Sequence, residues 1–237
     1  EEDRRRLLRG RHLLLNAPGH PQLLETQNLT IRFGGHVAVN AVSCRFAPGT
    51  LTAIVGPNGA GKTTYFNLIS GQLRATEGRV SLQGRDLTGL PPSARTRAGL
   101  GRAFQLTNLF PALSVLENVR LAVQATRQGA HRRGMNLWSI WSDHRALLAR
   151  AQQILEQVAL WARRDEPVSA LPHGDQRKLE VALLMALEPQ VYMFDEPTAG
   201  MSHDEAPVIL DLIRELKKDR SKTILLVEHK MDVVREL

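Results

Sequence analysis

The sequence predicts an α/β fold with a parallel core sheet, an N-terminal antiparallel β subdomain and a helical subdomain. Between residues 23 and 46 apolar and polar residues alternate, which is the two-residue period of paired strands. Between residues 111 and 170 the apolar period becomes helical. After residue 179, helical stretches alternate with the apolar runs VYMF and TILLV, and this alternation is typical of a parallel sheet covered by helices.

The predicted elements of the first part follow in chain order. Strands over 29–33 and 42–46 are separated by two glycines, and Val80 and Leu82 belong to a further strand that precedes a turn over 83–86. A short apolar strand over 51–55 runs into the segment GPNGAGKTT. A helix over 65–70 follows this segment and ends at Gly71.

The second part is predicted to begin with a mainly helical insert over about 106–170. Ser114 and Glu117 have the spacing of a capping box at the start of its first helix. One apolar face defines its second helix, formed by Leu147, Ala151, Ile154, Leu155 and Val158. A helix over 179–187, the strand VYMF, a helix over 208–216 and the strand TILLV complete the predicted order.

The composition is that of one folded domain. The 237 residues are 43% hydrophobic and 23% charged, as in ordinary globular proteins. Cys44 is the only cysteine, so an internal disulfide and a cysteine metal cluster are both excluded, which suits a reducing cytoplasm. No apolar run approaches the length of a transmembrane helix, so a membrane role is expected to work through a partner.

Residues 1–22 are predicted to be a basic, flexible leader outside the folded domain, which we expect to span 23–237. The net charge is +7, from 31 basic and 24 acidic residues, and five arginines lie in the first 11 positions. A basic arm can bind nucleic acid or anionic lipid. A solvated terminus is the commoner meaning of such a run, and no nucleic-acid partner is expected.

The segment GPNGAGKTT carries the most specific chemical signal. It matches G-x-x-x-x-G-K-[ST] in full, with a strand before it and a helix after it. Backbone N–H groups of such a loop surround phosphates at the positive end of a helix dipole. Lys62 is expected to contact the β and γ phosphates, and the Thr63 hydroxyl to bind Mg²⁺. The predicted nucleotide contacts of this loop are Gly56, Pro57, Asn58, Gly59, Ala60, Gly61, Lys62, Thr63 and Thr64.

Polar residues at the ends of other apolar runs are candidates for the chemistry. Asp195 and Glu196 follow the strand VYMF. With a phosphate-binding loop upstream, Asp195 is expected to hold a hydrated Mg²⁺ and Glu196 to polarise the water that attacks the γ phosphate. His229 follows TILLV at the expected nucleotide edge of the sheet. Gln105 ends the segment GLGRAF, where a neutral side chain could sense metal or water. Alone, these last two residues would receive no role.

Six segments, in order over roughly 23–237, resemble the ATP-binding subunits of ABC transporters. GPNGAGKTT resembles their Walker A, Gln105 their Q-loop and LPHGDQRK their signature, while VYMFDE resembles Walker B, AGMS the D-loop and His229 the switch histidine. The resemblance implies a P-loop NTPase of the ABC ATPase type that uses ATP and Mg²⁺, with Phe33 stacked on adenine. It implies catalytic roles for Glu196, His229, Gln105 and Lys62, and metal ligands at Thr63, Gln105 and Asp195.

The resemblance also implies an assembly. Two subunits close head to tail, so that the signature of one, through His173, Gly174 and Asp175, covers the ATP on the other. The insert and the surface around Gln105 dock on membrane permease subunits, and a substrate-binding protein is an indirect partner. The protein is then expected at the cytoplasmic face of the plasma membrane. Trp138 and Trp141 are candidates for the permease contact, with packing inside the insert as the other interpretation.

Three departures from the commonest family pattern are visible. Pro172 stands where LSGGQ has serine, and proline has neither an N–H nor a hydroxyl to donate to phosphate. We expect the N–H groups of His173 and Gly174, and a helix that starts near Asp175, to supply the contact. Ser202 stands where many D-loops have aspartate. The chain ends at Leu237, where relatives usually continue, so the usual C-terminal end is expected to be missing.

The first two departures suggest a subgroup. The segments LPHGDQR, RFGGHVAVNAVS and DEPTAGMS resemble importers of branched-chain amino acids and the related amide and urea systems. The expected function is therefore an ATP-hydrolysing subunit that powers an importer, with branched-chain amino acids as the first candidate substrates. A urea or short-chain amide importer, a lipid exporter and a non-transport ABC ATPase remain alternatives. A P-loop kinase would leave LPHGDQRK and His229 unexplained.

Overall fold

The computed structural model describes residues 23–103, 109–130, 139–201 and 206–237, and these form two four-stranded sheets with helices. The strands are β1 (Leu24–Phe33), β2 (His36–Phe46), β3 (Leu51–Val55), β4 (Glu77–Leu82), β5 (Arg85–Asp86), β6 (Leu100–Ala103), β7 (Val191–Asp195) and β8 (Thr223–Glu228). The α-helices are α1 (Lys62–Ser70), α2 (Pro92–Arg97), α3 (Val115–Ala130), α4 (Ser139–Gln157), α5 (His173–Ala186), α6 (Ala206–Lys218) and α7 (Met231–Glu236). Two 3₁₀ turns, Trp161–Arg163 and Val168–Ala170, connect α4 to α5.

The two sheets have the predicted strand directions. In the antiparallel sheet the strand order is β2-β1-β4-β5, and β1 and β2 pair up to Phe33 and His36. In the parallel sheet the order is β3-β8-β7-β6. Because parallel strands all end at the same edge of a sheet, the strand ends at Val55, Ala103, Asp195 and Glu228 lie along one edge.

Two hydrophobic clusters lie on the two faces of the parallel sheet. Tyr192 and Phe194 of β7 pack in the cluster that includes α3, α4 and α5. Val191 and Met193 pack in the cluster that includes α1 and the antiparallel sheet. Since successive residues of a strand point to opposite faces, burial on both faces requires the continuous apolar run that the sequence shows.

The helical insert contains the predicted apolar face and one of the two hydrogen bonds of the predicted capping box. The Ser114 hydroxyl accepts a hydrogen bond from the backbone N–H of Glu117 at 3.2 Å and so begins α3 as expected. The Glu117 carboxylate binds Arg120 at 2.7 Å. The predicted apolar face of α4 is buried, namely Leu147, Ala151, Ile154 and Leu155, together with Val158 just after the helix. The limits of the insert stay a prediction.

Three local predictions were wrong. α1 begins at Lys62, because Gly61 with φ of 80° ends the loop there. α5 begins at His173 rather than near Asp175, because Pro172 is its N-cap. Proline is tolerated at this position, since the N-cap residue has no backbone N–H bond to donate within the helix. The segment predicted as one turn over 83–86 is a two-residue turn, Gln83 and Gly84, both with positive φ, and the next two residues pair with β4 as β5.

Among the α-helices and strands, three short elements were not predicted, namely α2, β6 and α7. α2 carries Arg95, which is buried and donates to the carbonyls of Leu68 and Ile69 at 2.7 and 2.6 Å. Those carbonyls belong to the last turn of α1, where a cation is favoured. Arg95 also donates to Leu90 and Thr88. It therefore fixes the far end of the helix that starts at the phosphate-binding segment.

Some predictions fall on residues outside the described part of the chain. These are the leader over 1–22, Gln105, Trp138 and Ser202, and also the side chain of Trp141. They stay predictions. Among the described helices, none has both the length and the apolar character that crossing a membrane requires.

Candidate functional site

The segment 56–64, called the phosphate loop below, leads from β3 into the first turn of α1 in a conformation that depends on glycine. Gly59 and Gly61 have φ of 81° and 80°, the left-handed region that residues with a Cβ rarely adopt. A Cβ on Gly61 would lie 2.4 Å from the carbonyl oxygen of Ala38 on β2. The loop can therefore approach β2 this closely only with glycine at this position.

Lys62 lies across the phosphate loop. Its Nζ donates to the carbonyl oxygens of Gly56 at 2.7 Å and Pro57 at 2.9 Å, and the residue is only 8% exposed. The first N–H groups of α1 have no partner within the helix. A positive side chain and free N–H groups at a helix start form an anion-binding site, which fits the predicted contacts with phosphates.

Thr63 and Asp195 are brought together from α1 and β7. The Thr63 hydroxyl lies 3.4 Å from Oδ1 of Asp195. Asp195 is only 8% exposed. Mg²⁺ takes oxygen ligands, keeps several waters, and in nucleotide sites uses one or two protein groups together with phosphates. A hydroxyl and a carboxylate beside a phosphate loop fit that chemistry, whereas the described residues contain no cluster of three or more His, Cys, Asp or Glu side chains.

Glu196 and His229 also meet, at the ends of neighbouring strands. Nδ1 of His229 lies 3.5 Å from Oε1 of Glu196, and about a third of each side chain is exposed. Glu196 has φ of 48°, and its N–H donates to the carbonyl of Val227 on β8 at 3.0 Å. A non-glycine residue held in the left-handed region is strained, and such strain is common at functional sites. The carboxylate is thereby held beside the imidazole and within reach of water.

Two buried residues of the site were missed by the sequence analysis. Arg102, on β6, donates to Oδ2 of Asp195 at 2.6 Å, and burial lowers the pKa of its guanidinium although the carboxylate opposes this. Glu228, which is 1% exposed, accepts from the Thr198 hydroxyl at 3.1 Å and from the N–H of His229 at 2.9 Å. The available signal was only that each is a charged residue in an apolar strand, namely Arg102 in GLGRAF and Glu228 in TILLVE.

Phe33 lies at the end of β1 and is 50% exposed. A ring that is half exposed is not part of the hydrophobic core. Its partner across the hairpin is His36, the first residue of β2, and β2 also carries the Ala38 carbonyl that faces the phosphate loop. An exposed aromatic ring on this hairpin is compatible with the predicted stacking on a base.

The signature residues lie at the start of α5. His173 is exposed, Gly174 is buried, and the Asp175 carboxylate binds Lys178 at 2.7 Å and Arg163 at 3.4 Å. A carboxylate in the first turn of a helix interacts favourably with the helix dipole. Because the Asp175 carboxylate is already paired with two basic side chains, a nucleotide contact by this residue would use its backbone N–H. Within the described part of the chain, no hydrogen bond or ion pair joins these residues to the phosphate loop.

Comparisons with known proteins identify the relatives of this chain. The family model described as "ABC transporter" matches residues 39–199. The chain is 38% identical over 213 residues to the high-affinity branched-chain amino acid transport ATP-binding protein LivG of Escherichia coli K12, covering 90% of this chain and 84% of that protein. It is 34% identical over 216 residues to BraF of Pseudomonas aeruginosa, which has the same descriptive name, with 91% and 85% covered.

Solved structures give the same fold. A nucleotide-free ATP-binding cassette from an ABC transporter superposes with a TM-score of 0.74 at 30% identity, covering 90% of this chain and 84% of that one. A dimeric ATP-binding cassette in a post-hydrolysis state, bound to ADP and Pi, superposes with a TM-score of 0.75 at 26% identity, covering 90% and 91%.

Proposed function

Because the chain belongs to the ABC transporter family, we propose that it is the ATP-binding subunit that powers an importer of branched-chain amino acids. The predicted family, ABC ATPase fold and ATP-hydrolase class are confirmed. The observation that carries the mechanism is that the phosphate loop, the Thr63–Asp195 pair and the Glu196–His229 pair lie at one edge of the parallel sheet. The substrate is proposed from LivG and BraF, whose names specify branched-chain amino acids.

We assign the chemical steps to the residues at this edge. Lys62 binds the β and γ phosphates by leaving the loop carbonyls that it now contacts. Thr63 and Asp195 would hold Mg²⁺, which when bound would neutralise charge on the phosphate oxygens. Glu196 accepts a proton from the attacking water, and His229, 3.5 Å away, orients that carboxylate. Gln105 keeps its predicted role as metal ligand and water sensor.

Hydrolysis is proposed to need a second ATP-binding subunit, either the same chain or a paralogue. The signature of one subunit would cover the nucleotide on the other through the N–H groups of His173 and Gly174 at the positive end of α5. One of the solved relatives is dimeric, with ADP and Pi bound. A single subunit, which supplies only half of each site, should bind nucleotide by itself but hydrolyse it efficiently only within the dimer.

The permease is proposed to dock in a groove of about 380 Å³ between α3 and α5. Its lining is mostly apolar and includes Phe110, Leu121, Ala122, Leu183 and Leu187, with Arg102, Asn118 and Glu180 as its polar members. Phe110 is 55% exposed beside this apolar lining, and exposed apolar surface at a groove is typical of an interaction site. An apolar groove between two helices suits an amphipathic helix, which a permease would present at the cytoplasmic face of the membrane. A substrate-binding protein would then deliver the amino acid.

Replacing Glu196 with Gln tests the proposed function. The variant should bind ATP and Mg²⁺, form a stable dimer in size-exclusion chromatography with light scattering, and hydrolyse ATP at least about a hundredfold more slowly, as expected when a general base is lost. Glu215→Gln, an exposed position on α6, is the control. If Glu196→Gln stays monomeric with ATP and keeps normal hydrolysis, the proposed mechanism is wrong.

A second measurement tests the transported substrate and whether the chain is a transport or a non-transport ABC ATPase. Hydrolysis by the unmodified chain should rise when a permease of the branched-chain amino acid type is co-expressed and reconstituted with its binding protein and leucine. Urea or acetamide in place of leucine tests the amide and urea alternatives. Stimulation by DNA or RNA, and none by any permease, would instead support a non-transport ABC ATPase.

A further inference from the structure

Arg102 forms a buried ion pair with the carboxylate predicted to hold Mg²⁺. Its Nη2 donates to Oδ2 of Asp195 at 2.6 Å, and the two side chains are 7% and 6% exposed. A pair so far from solvent is screened little by salt or water, and removing one partner would leave an uncompensated charge in the interior. The contact is therefore a strong constraint on where the Asp195 carboxylate lies.

The guanidinium is itself fixed by α1. Its Nη1 donates to Oδ1 of Asn67 at 2.7 Å and to the Ser70 hydroxyl at 2.9 Å, and its Cζ lies 5.5 Å from the centre of the Phe66 ring. Only the planar, forked guanidinium reaches acceptors on both sides while stacking on a ring. Arg102 thus ties β6, the helix that follows the phosphate loop, and the end of β7 to one another.

Because Arg102 binds only one carboxylate oxygen of Asp195, the two oxygens have different surroundings. Oδ2 is occupied by Arg102, while Oδ1 faces the Thr63 hydroxyl at 3.4 Å. Thr63 and Asp195 are the residues proposed above to hold Mg²⁺. With Oδ2 held, the carboxylate cannot rotate freely about its terminal bond, so Oδ1 points toward Thr63 before any ligand arrives.

We propose that Arg102 is a positioning residue for the metal site: it holds Oδ2 of Asp195 so that Oδ1 is preset beside Thr63. The inference rests on the proposed function, since it concerns the same nucleotide site. Partners behind a metal ligand orient that ligand, and their loss typically lowers metal affinity by about 10- to 100-fold. A merely structural ion pair would affect stability and leave the metal dependence of nucleotide binding unchanged.

Binding of ADP by the full chain, measured by isothermal titration calorimetry over a range of Mg²⁺ concentrations, tests the proposal without hydrolysis. In Arg102→Lys the charge is kept, but one ammonium cannot serve Asn67, Ser70 and Asp195 together. We expect the Mg²⁺ concentration for half-maximal ADP binding to rise by about tenfold or more, with ADP affinity in EDTA within about twofold of the unmodified chain. Arg102→Gln should show the larger effect.

Ser70→Ala is the matched control, because it removes one hydrogen bond of Arg102 and leaves the contact with Asp195. Its Mg²⁺ dependence should stay within about twofold of the unmodified chain. If Arg102→Gln does not fold, Arg102→Lys decides the question alone.

Two results would overturn the proposal. One is a normal Mg²⁺ dependence in Arg102→Lys together with a lowered melting temperature, which would make the pair merely structural. The other is tighter Mg²⁺ binding, which would mean that Arg102 competes with the metal for Asp195. If the unmodified chain itself showed no Mg²⁺-dependent ADP binding, the proposed function would fail and the role of Arg102 with it, whereas a change confined to the variants concerns Arg102 alone.

Discussion

Replacing Glu228 with Gln tests how the loop that carries His229 is held. The Glu228 carboxylate is 1% exposed and accepts from the Thr198 hydroxyl at 3.1 Å and from the N–H groups of His229 and Lys230 at 2.9 and 3.1 Å. A hydrogen bond to a charged group contributes about 1.5–3 kcal/mol, against about 0.5–1.5 for a neutral pair. Glutamine keeps the shape and removes the charge: its amide oxygen can still accept from the two backbone N–H groups, while its NH₂ group replaces the other oxygen and must donate to the Thr198 hydroxyl. Each of the three contacts then becomes a neutral pair and loses roughly 1 kcal/mol, so the free energy of unfolding should fall by about 2–3 kcal/mol.

Urea denaturation followed by circular dichroism measures this change. At this chain length, about 2–4 °C of melting temperature corresponds to 1 kcal/mol, so a scan should show a loss of roughly 5–10 °C. Thr198→Val removes one of the bonds and should cost about 1 kcal/mol. Glu215→Gln, an exposed ion-pair position, should change stability by less than about 0.5 kcal/mol. A Glu228→Gln variant as stable as Glu215→Gln would refute the argument that the carboxylate holds this loop.

Two further predictions concern nucleotide and partner binding. Gly61→Ala should weaken ATP binding more than about tenfold in calorimetry, because the left-handed φ and the 2.4 Å approach to the Ala38 carbonyl leave no room for a Cβ. The control is Gly35→Ala, which should bind ATP normally because no atom lies within 4 Å of the new Cβ. Phe110→Asp should lower permease-stimulated hydrolysis about tenfold or more while basal hydrolysis stays within twofold, and Gln72→Asp, exposed outside the groove, should change neither rate. Normal stimulation of Phe110→Asp would exclude the groove as the docking site.

Sequence reasoning located the parts of the site that local patterns determine. Lys62 and Thr63 follow from one motif with a strand and a helix around it, while Asp195 and His229 follow apolar runs that parallel strands bring to one edge. Short elements escaped prediction because their shape is set from outside. The six residues of α2 are too few for a helical period to appear, and their position depends on the buried guanidinium of Arg95 and the α1 carbonyls that it binds.

Long-range contacts of the site could not be predicted either. Arg102 and Asp195 are separated by 93 positions, and Thr198 and Glu228 by 30. Nothing in their neighbours along the chain indicates a partner. Burying a charged residue in an apolar strand is unfavourable unless a partner compensates its charge. Arg102 in GLGRAF and Glu228 in TILLVE are such residues, so the sequence indicated that partners exist but not which residues they are.

Pro172 shows how a structural detail changes the interpretation of a motif. Against the pattern LSGGQ, the proline counts as a lost donor. In the structure it is the N-cap of α5, and its carbonyl accepts the N–H of Gln176 at 3.0 Å. An N-cap residue needs no donated bond of its own, and the N–H groups of His173 and Gly174 after it belong to the first turn, where no helix carbonyl can accept them. The proline therefore removes a hydroxyl but starts the helix early enough to present two N–H groups at its positive end. A phosphate that reaches α5 from a second subunit would meet the exposed His173 first and the buried Gly174 behind it.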